Sequence, residues 1–376
     1  MMWQFPKYRI GEALDWDDFT HTYTWIADMQ GVPQDPLWHA EGDVHTHTRM
    51  VVQELLQLPD FETLPDQQKH LLFTAALLHD VEKRSTTTRE VIDGVERIVS
   101  PRHAKKGEHA ARQLLYREMP TPFYLREQIC KLVRLHGLPL WAIDRTDPAK
   151  EVIYASTVVD TRLLALLARA DIIGRMCNDR DELLYKIELF EELCREQECF
   201  GQPRQFGSDY GRYLYFNRQE AHPDYVPYDD TICTVTMLCG LPGSGKDTYI
   251  RRYLDQPVLS LDDLRRSHGI SPTDKKGNGQ VIQLGKEQAR VYLRAKTSFT
   301  FNATNITRDM RARWIGLFTE YKAHVRIVYI EVPYRTLLKQ NANRPHPVPT
   351  AVLERLLGKL EMPDVREAHE VMYLVE

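Results

Sequence analysis

Histidine and aspartate residues recur in the first half of the sequence at positions where their side chains could hold a divalent cation. His47 lies in DVHTHTRMVV, the pair His79-Asp80 ends an apolar stretch, and Asp171 interrupts the apolar run LLALLARADIIGR. A carboxylate or imidazole that is buried without a partner is costly. Metal coordination is one way to relieve that cost, and an ion pair is another.

The ion-pair alternative for Asp171 is a bond to Arg169 or Arg175 on the same predicted helix.

Two more histidines, His103 in HAKKG and His136 in LVRLHG, occur in the first half of the sequence. Imidazole and carboxylate ligands suit manganese, cobalt, nickel, iron or zinc, and the ligand types do not select among them. Such a cation lowers the pKa of a bound water and neutralises charge on a phosphate. From the residue types alone, the cluster therefore indicates a site for a divalent cation.

A glycine-rich segment in the second half of the sequence has the residue types that surround nucleotide phosphates. GLPGSGKDT follows a short apolar β-rich run and opens a helical pattern, which is the required context for a GxxxxGK phosphate loop. The predicted binding residues are Gly240, Gly243, Ser244, Gly245, Lys246, Asp247 and Thr248. We expect their amides and the helix N-terminus to hold an NTP, with Lys246 reaching the β- and γ-phosphates.

Asp247 occupies the position where a Ser or Thr usually holds magnesium. A carboxylate is also a hard oxygen ligand, so Asp247 is one candidate for the Mg²⁺ and Thr248 is the other. The replacement of Ser or Thr by Asp247 is expected to affect the geometry of the bound metal more than the binding of the nucleotide.

An acidic pair follows the next predicted strand in LSLDDLRR. Strand ends line the ligand crevice of a doubly wound sheet, and an acid there can accept the proton of an attacking hydroxyl. The alternative is that Asp262 or Asp263 only caps the following helix. Capping does not account for Arg265 and Arg266, which follow immediately.

Two kinds of hydrophobic pattern position these residues. The pattern is helical from Trp16 to about Gly174, and the segments Lys69–Val81 and Thr157–Ile173 are apolar on nearly all sides, which is typical of buried helices. Glu90–Ser100 predicts a hairpin that turns at Asp93-Gly94. A charged helix is expected over Asp181–Cys199.

After residue 230 the pattern changes to alternating strands and helices, which indicates a parallel sheet covered by helices. The predicted fold is therefore multidomain, with an all-α domain over residues 1–199 and an α/β P-loop domain over 231–376. Residues 200–230 are rich in Gly, Pro, Tyr and Asp and are interpreted as a connector, with a strand at Arg212–Phe216.

Composition narrows the class of protein. Apolar residues make up 43% of the 376 residues and the formal net charge is −4, so the total charge does not indicate a nucleic-acid binder. The six cysteines include no CxxC pair, and the N-terminal residues lack the apolar segment of a signal peptide. No stretch has the length of a membrane span. We expect a cytoplasmic protein without a membrane partner.

His47, His79-Asp80 and Asp171 together resemble the H…HD…D signature of the HD phosphohydrolase superfamily. Lys83 matches the HDxxK continuation, and the resemblance implies that it binds the substrate phosphate. His103 and His136 match the additional histidines that build a second metal position in some members. The resemblance implies a site for one or two divalent transition metals.

The second half resembles the 5′-hydroxyl polynucleotide kinases. By its DDxR pattern the resemblance makes Asp262 the general base, while Arg265 would contact phosphate near the acceptor. LKQNANR resembles the lid segment, so Arg344 would stabilise the transferring phosphate, unless it is only a surface arginine at a helix end. The residues 303–305 (Ala-Thr-Asn) align with a DTN-like segment in which alanine replaces the acid, and Asn302 precedes them.

A further basic group, Arg308, Arg311 and Arg313, is predicted to form one helix face, which either contacts nucleic acid or is simply solvated.

The order of the two halves resembles the bacterial bifunctional HD-domain polynucleotide kinases that heal broken nucleic-acid ends. The resemblance implies that one domain removes 2′,3′-cyclic, 2′- and 3′-phosphate groups from RNA or DNA. The other would transfer the γ-phosphate of ATP or another NTP to 5′-hydroxyl ends, and a separate ligase would then seal them. A homodimer is possible in such a scheme. The alternatives are an HD nucleotidase joined to a nucleoside or antibiotic kinase, and a regulator that binds nucleotide and metal without catalysis.

Overall fold

The computed structural model describes residues 2–218 and 221–376, and the chain divides into two compact units, Met1–Arg204 and Gln205–Glu376. Residues 219 and 220 of the predicted connector lie outside the described residues. The expected architecture, a helical domain followed by an α/β domain with a parallel sheet, is confirmed. Among the described residues no helix is long and apolar enough to cross a lipid bilayer.

The first unit is a cluster of helices around an apolar core. Its helices are α1 Trp16–Thr22, α2 Thr24–Ala27, α3 Val44–Gln57, α4 Pro59–Glu62, α5 Asp66–Leu78, α6 Lys83–Thr86, α7 His103–Gln113, α8 Phe123–Leu135, α9 Leu138–Trp141, α10 Pro148–Ser156, α11 Thr161–Ile173 and α12 Arg180–Glu196. A π-helical turn, Leu114–Glu118, continues α7. As predicted from their apolar patterns, α5 and α11 are buried nearly throughout, and α5 packs against α3, α8 and α11.

The predicted hairpin of the first unit is confirmed. Strands β1 Thr88–Ile92 and β2 Val95–Val99 pair antiparallel, and Ile92 is opposite Val95 across the turn. Both turn residues have positive φ, 51° at Asp93 and 79° at Gly94. A two-residue turn with this backbone favours Asp-Gly, because its twist matches that of the strands.

The second unit is a parallel sheet with helices around it. Its elements are α13 Asp209–Asn217, β3 Cys233–Cys239, α14 Lys246–Tyr253, β4 Val258–Ser260, α15 Leu261–Ser267, α16 Lys275–Arg294, β5 Phe299–Asn302, α17 Arg308–Glu320, β6 Ala323–Glu331, α18 Tyr334–Ala342, α19 Thr350–Leu357 and β7 Glu370–Val375. The strand order is β4-β5-β3-β6-β7, and each neighbouring pair is parallel.

The strand register determines which residues meet at the functional edge of the sheet. Asn302, the last residue of β5, is opposite Ser260 on one side and Leu238 on the other. The carboxyl ends of β4, β5 and β3 therefore lie side by side. The segments that follow these three strands contain the predicted acidic pair, the DTN-like segment and the phosphate loop.

One strand predicted for this unit is absent, and another strand was not predicted. The strand predicted at Arg212–Phe216 is wrong, because this segment belongs to α13, whose first turn is capped by the Ser208 hydroxyl through the Gly211 N–H. Arg212 ties this helix to the carbonyls of Val365 and His369 within the same unit. Strand β7 was not predicted, although it completes the sheet beside β6.

Candidate functional site

The six predicted metal ligands of the first unit converge from five structural elements. They lie on α3, immediately after α5, at the start of α7, immediately after α8, and on α11: His47, His79, Asp80, His103, His136 and Asp171. Five of them are at most 6% exposed, and His103 is partly exposed. The structure therefore brings the whole predicted set to one place.

The Asp80 carboxylate lies between two groups of these ligands. One oxygen, Oδ2, is 3.3 Å from Nε2 of His79 and 3.7 Å from Nε2 of His47. The other, Oδ1, is 3.4 Å from Nε2 of His103 and 3.9 Å from Nε2 of His136. Asp171 joins the first group, with Oδ1 at 3.1 Å from Nε2 of His47.

Each group has the composition of a metal site. The ligand atoms of His47, His79 and Asp80 lie within 4.8 Å of one another, and so do those of Asp80, His103 and His136. Asp80 Oδ1 is buried and accepts no hydrogen bond from the described residues. A buried acceptor of this kind is rare unless an ion or water completes it. The arrangement accommodates one or two cations that share Asp80.

The orientation of the imidazole rings supports the same interpretation. Nδ1 of His79 donates to the Ala76 carbonyl, Nδ1 of His103 to that of Ser100 and Nδ1 of His136 to that of Val133, at 2.7–2.8 Å. With the proton on Nδ1, the lone pair is on Nε2, which faces Asp80. Metal-ligating histidines are held in this way, with the distal nitrogen bonded to a carbonyl or carboxylate.

His47 is oriented by a carboxylate instead. Its Nδ1 lies 2.9 Å from Oε1 of Glu41, which also contacts Nδ1 of His39 at 2.8 Å. The other oxygen of Glu41 accepts the N–H of Met176 at 3.0 Å. Glu41 therefore contacts Nδ1 of His47, while Nε2 of the same ring faces the other residues of the cluster.

The electrostatics of the cluster keep its carboxylates ionised. Burial alone would raise the pKa of Asp80, but Lys83 and His79 hold it well below its usual value. The pKa of Asp171 is likewise low, mainly because Arg175 opposes the effect of burial. Burial lowers the pKa of His136 to about 3, so this ring is neutral and its lone pair is available at ordinary pH.

Two ion pairs adjoin the cluster, one of Lys83 and one of Asp171. Lys83 contacts Asp80 Oδ2 at 2.7 Å and donates to Oε1 of Gln34 at 2.8 Å, which places its ammonium at the edge of the cluster. Asp171 does pair with Arg175, at 2.7 Å, while its other oxygen faces His47. The ion pair and the place in the cluster therefore coexist.

Sequence reasoning missed Gln34, His39 and Glu41. All three lie in the irregular segment between α2 and α3, which has no hydrophobic period. The signal that could have found Glu41 is an acid two residues after a histidine in HAEGDVH, close to a predicted ligand.

The phosphate loop of the second unit connects β3 to α14. Gly240, Gly243 and Gly245 have φ of 146°, 86° and 100°, a region that favours glycine. A Cβ at Gly240 would lie 2.5 Å from the carbonyl oxygen of Ile330. Space around a Cβ at Gly245 is open. The loop is thus closely packed on the side of the sheet and open at the start of the helix.

Lys246 lies within this loop and folds over it. Its Nζ donates to the carbonyls of Gly240 and Leu241 at 2.8 and 2.9 Å. Burial lowers its pKa to about 8, and the charges of Asp247, Asp262 and Arg344 also act on it. These three predicted residues therefore lie near enough to Lys246 to influence its charge.

Asp247 has a partner on the neighbouring strand. Its Oδ1 accepts a hydrogen bond of 2.9 Å from Nδ2 of Asn302, at the end of β5. The side chains of Asp247 and Thr248 are exposed beside the loop. Ser244 is buried, and its hydroxyl has no hydrogen-bond partner among the described residues.

The capping alternative for the acidic pair is wrong, because Ser260 caps α15. Its hydroxyl accepts the N–H of Asp263, so neither aspartate is needed to start the helix. Asp262 forms an ion pair with Arg265, and 61% of its side chain is exposed. Arg265 also donates from Nε to Oδ1 of Asn278 at 2.9 Å.

The segment after β5 supports the loop from beneath. The Thr304 carbonyl accepts the N–H of Gly240, and Nδ2 of Asn305 donates to the Leu238 carbonyl at 2.7 Å. Ala303 stands where the DTN-like segment has an acid, so this position provides no carboxylate to the site.

The predicted basic face on α17 is wrong for Arg311. This side chain is fully buried and pairs with both oxygens of Glu367, at 2.7 and 2.8 Å. It also donates to the Asn305 carbonyl, so its role is to support the loop. Arg313 is exposed and pairs with Asp309 on the same helix.

Two protein families match this chain. The family model of the HD domain matches residues 44–176, which contain all six predicted metal ligands. A family model of the AAA domain, AAA_33, matches residues 235–363, from the strand before the phosphate loop to beyond Arg344. The chain therefore consists of an HD domain followed by a P-loop kinase-like domain with a parallel sheet.

Individual relatives match only part of this chain. L-seryl-tRNA(Sec) kinase of Methanococcus maripaludis is 24% identical over 144 residues, which cover 36% of this chain and 55% of that protein. The chain thus spans about half the length of this relative. A sugar kinase from Janibacter sp. HTCC2649 is 18% identical, covers 38% of this chain and 85% of its own, and has a TM-score of 0.31. A gluconokinase from Sinorhizobium meliloti 1021 is 16% identical, with 39% and 83% coverage and a TM-score of 0.29.

Proposed function

We propose that this protein is a bifunctional enzyme that heals broken RNA or DNA ends. The HD domain would hydrolyse 2′,3′-cyclic phosphate, 2′-phosphate and 3′-phosphate ends. The P-loop domain would transfer the γ-phosphate of ATP or another NTP, with Mg²⁺, to 5′-hydroxyl ends. The products, 3′-hydroxyl and 5′-phosphate ends, are the substrates of a separate ligase.

The observation that carries the proposal is the exposure of Asp262. The predicted base faces solvent beside the phosphate loop, with 61% of its side chain accessible. A polymer end can therefore approach it without entering a closed cavity. The same chain contains a cluster of candidate metal ligands, which suits the complementary removal of phosphate.

In the HD domain, the clustered side chains would hold the divalent cations and the substrate phosphate. The four histidines offer Nε2, and Asp80 offers both oxygens, for one or two divalent cations. A cation there supplies charge neutralisation and lowers the pKa of a bound water. The Lys83 ammonium, at the edge of the cluster, would hold a phosphate oxygen of the substrate.

In the kinase domain, the phosphoryl group moves from the NTP to the 5′-hydroxyl. Asp262 accepts the proton of that hydroxyl while the hydroxyl oxygen bonds to the γ-phosphorus. The bond from the γ-phosphorus to the nucleoside diphosphate breaks, and the diphosphate leaves. Arg265 holds the Asp262 carboxylate and would contact the acceptor phosphate. The Lys246 ammonium would leave its two loop carbonyls and bind phosphate oxygens instead. Arg344 would add positive charge next to the negative charge that develops on the transferred phosphoryl group.

The test measures both activities on defined ends in single-residue variants. Lys246→Ala and Asp262→Ala should abolish phosphorylation of a 5′-hydroxyl oligonucleotide and leave hydrolysis of a 2′,3′-cyclic phosphate end intact. His79→Ala and Asp80→Ala should do the reverse. If all four variants kept both activities, the assignment of the two sites would be wrong.

The second candidate is an HD nucleotidase joined to a small-molecule kinase. The net charge of −4 favours it, since proteins that bind polymers of phosphate often carry a positive total charge. The same assay decides: phosphate transfer to nucleosides or antibiotics, with none to 5′-hydroxyl oligonucleotides, would select this candidate. A catalytically silent regulator would transfer phosphate to neither.

A further inference from the structure

Positive charge in this acidic protein is concentrated next to the proposed kinase site. Between residues 264 and 297 there are eight Lys and Arg against two Asp and Glu, although the whole chain has a net charge of −4. This segment contains the end of α15 and all of α16. A local cationic surface of this kind is typical of phosphate-backbone binding.

Four of the five cations of α16 form a stripe along one side of the helix. Lys276, Lys286, Arg290 and Arg294 are separated by 10, 4 and 4 residues, so at about 100° per residue they fall within a sector about 80° wide. The stripe is about 27 Å long at a rise of about 1.5 Å per residue. The core side of the helix is lined instead by Val281, Gly285, Ala289 and Leu293.

Most of this charge is not compensated. Arg290 pairs with Glu287 at 2.6 Å. The side chains of Lys276, Lys286 and Arg294 show no ion pair or hydrogen bond with any residue in the described part of the chain. An unpaired stripe is available to an anionic partner.

A groove with a volume of about 800 Å³ accompanies the stripe. It is lined by His268 and Ile270 from the loop after α15, and by Lys276, Gln280, Gln283 and Glu287 of α16. Glutamine amides can hydrogen-bond to base edges, and imidazole and apolar side chains can stack on unpaired bases. The groove thus offers base-binding groups next to phosphate-binding ones.

Direct contacts connect this surface to the reacting end. Asn278 lies between Lys276 and Gln280 on α16, and its Oδ1 accepts the Arg265 Nε–H at 2.9 Å. Arg265 in turn pairs with Asp262. A strand whose first nucleotide is at Asp262 can therefore continue past Asn278 onto α16.

We propose that the stripe and groove of α16 bind the single-stranded nucleic acid whose 5′-hydroxyl is phosphorylated at Asp262. The cations contact successive phosphates, and the groove receives one or more bases. This inference rests on the proposed function, because it identifies how that site would hold a polymer rather than a small acceptor.

The test compares acceptors of different length in a triple variant, Lys276→Ala/Lys286→Ala/Arg294→Ala. Each exposed contact contributes about two- to fivefold in affinity, so the KM for a 5′-hydroxyl single-stranded oligonucleotide should rise by roughly 10- to 100-fold. The KM for a nucleoside 3′-monophosphate, which reaches only the Asp262 end, should change far less. Salt provides a second readout: losing three phosphate contacts should reduce the slope of log KM against log salt by about 2.

Two further variants serve as controls. Arg313→Ala/Lys322→Ala/Lys359→Ala removes three exposed cations outside α16 and should leave the oligonucleotide KM near that of the wild type. Lys276→Arg/Lys286→Arg/Arg294→Lys keeps the charges of the stripe and should retain oligonucleotide binding. Alanine favours helix, so the triple alanine variant of the stripe is expected to preserve α16.

The results distinguish a failure of the α16 binding surface from a failure of the proposed function. If the wild type phosphorylates oligonucleotides and the α16 variant has the same KM and salt slope, the binding surface is refuted and the proposed function stands. An equal loss for the oligonucleotide and the mononucleotide would also refute it, because the effect would then arise at the reacting end. If the wild type phosphorylates no oligonucleotide, the proposed function itself is wrong.

Discussion

Replacement of Glu41 tests whether the orientation of His47 matters for metal binding. Glu41 faces Nδ1 of His47 and of His39 through one oxygen and accepts the Met176 N–H through the other. In Glu41→Gln the single remaining oxygen can accept either from the two histidines or from the Met176 N–H, and the negative charge is lost. In Glu41→Ala all of these interactions are lost.

The expected magnitude follows from the number of contacts that remain. Loss of a group that orients a ligand typically lowers metal affinity 10- to 100-fold, or about 1.4–2.7 kcal/mol. We expect about a tenfold loss for Glu41→Gln and a loss near 100-fold for Glu41→Ala. Both are measured by competition between the metal-free protein and a chelating dye, with manganese or cobalt as the probe.

A matched control separates orientation from general destabilisation. Glu108 is another buried carboxylate, paired with Arg112 at 3.0 Å and Lys131 at 2.9 Å, and it is not among the cluster ligands. Glu108→Gln should lower the free energy of unfolding and leave metal affinity unchanged. Equal metal affinity in wild type and Glu41→Ala would refute the reasoning, and so would an equal loss in Glu108→Gln.

Three further outcomes are expected in the kinase domain. Because burial lowers the pKa of Lys246 to about 8, the ammonium that binds phosphate is lost as pH rises, and kcat/KM for ATP should fall above about pH 8. Lys246→Arg keeps its charge at high pH, so this descending limb should disappear; a limb that persists unchanged would assign it to another group. Gly240→Ala places a Cβ 2.5 Å from the Ile330 carbonyl and should lower Tm and kinase activity, whereas Gly316→Ala, with open space around the Cβ, should do neither. Arg311→Met leaves buried Glu367 unpaired and should cost about 3–5 kcal/mol in urea unfolding, much of it recovered in Arg311→Met/Glu367→Leu; an unfolding midpoint equal to that of the wild type would contradict this.

The elements that carry the sites could be predicted because their patterns are strong. A carboxylate in the apolar run around Asp171 stands out in the sequence, and burial of α11 explains why it needs a partner. The Asp93-Gly94 turn was predictable because few residue pairs adopt positive φ at both positions. The phosphate loop was predictable from its glycines and its position after β3.

Other features depend on contacts between residues that are distant in sequence. Nothing near Arg311 shows that Glu367, 56 positions later, will enclose it. The aromatic residues of α13 favour a strand by propensity, but its capping by Ser208 and its contacts with residues 365–369 favour a helix. Strand β7 is half-buried along its length, so it lacks both the apolar run of a central strand and strict alternation.

The hydroxyl of Ser260 has a practical consequence for experiments on the kinase. Since this serine begins α15, the neighbouring aspartate can be removed while the helix that presents it keeps its first turn. Asp262→Asn should therefore bind acceptor and nucleotide together without turnover. Such an inert form offers a route to crystals of the protein with both reactants in place.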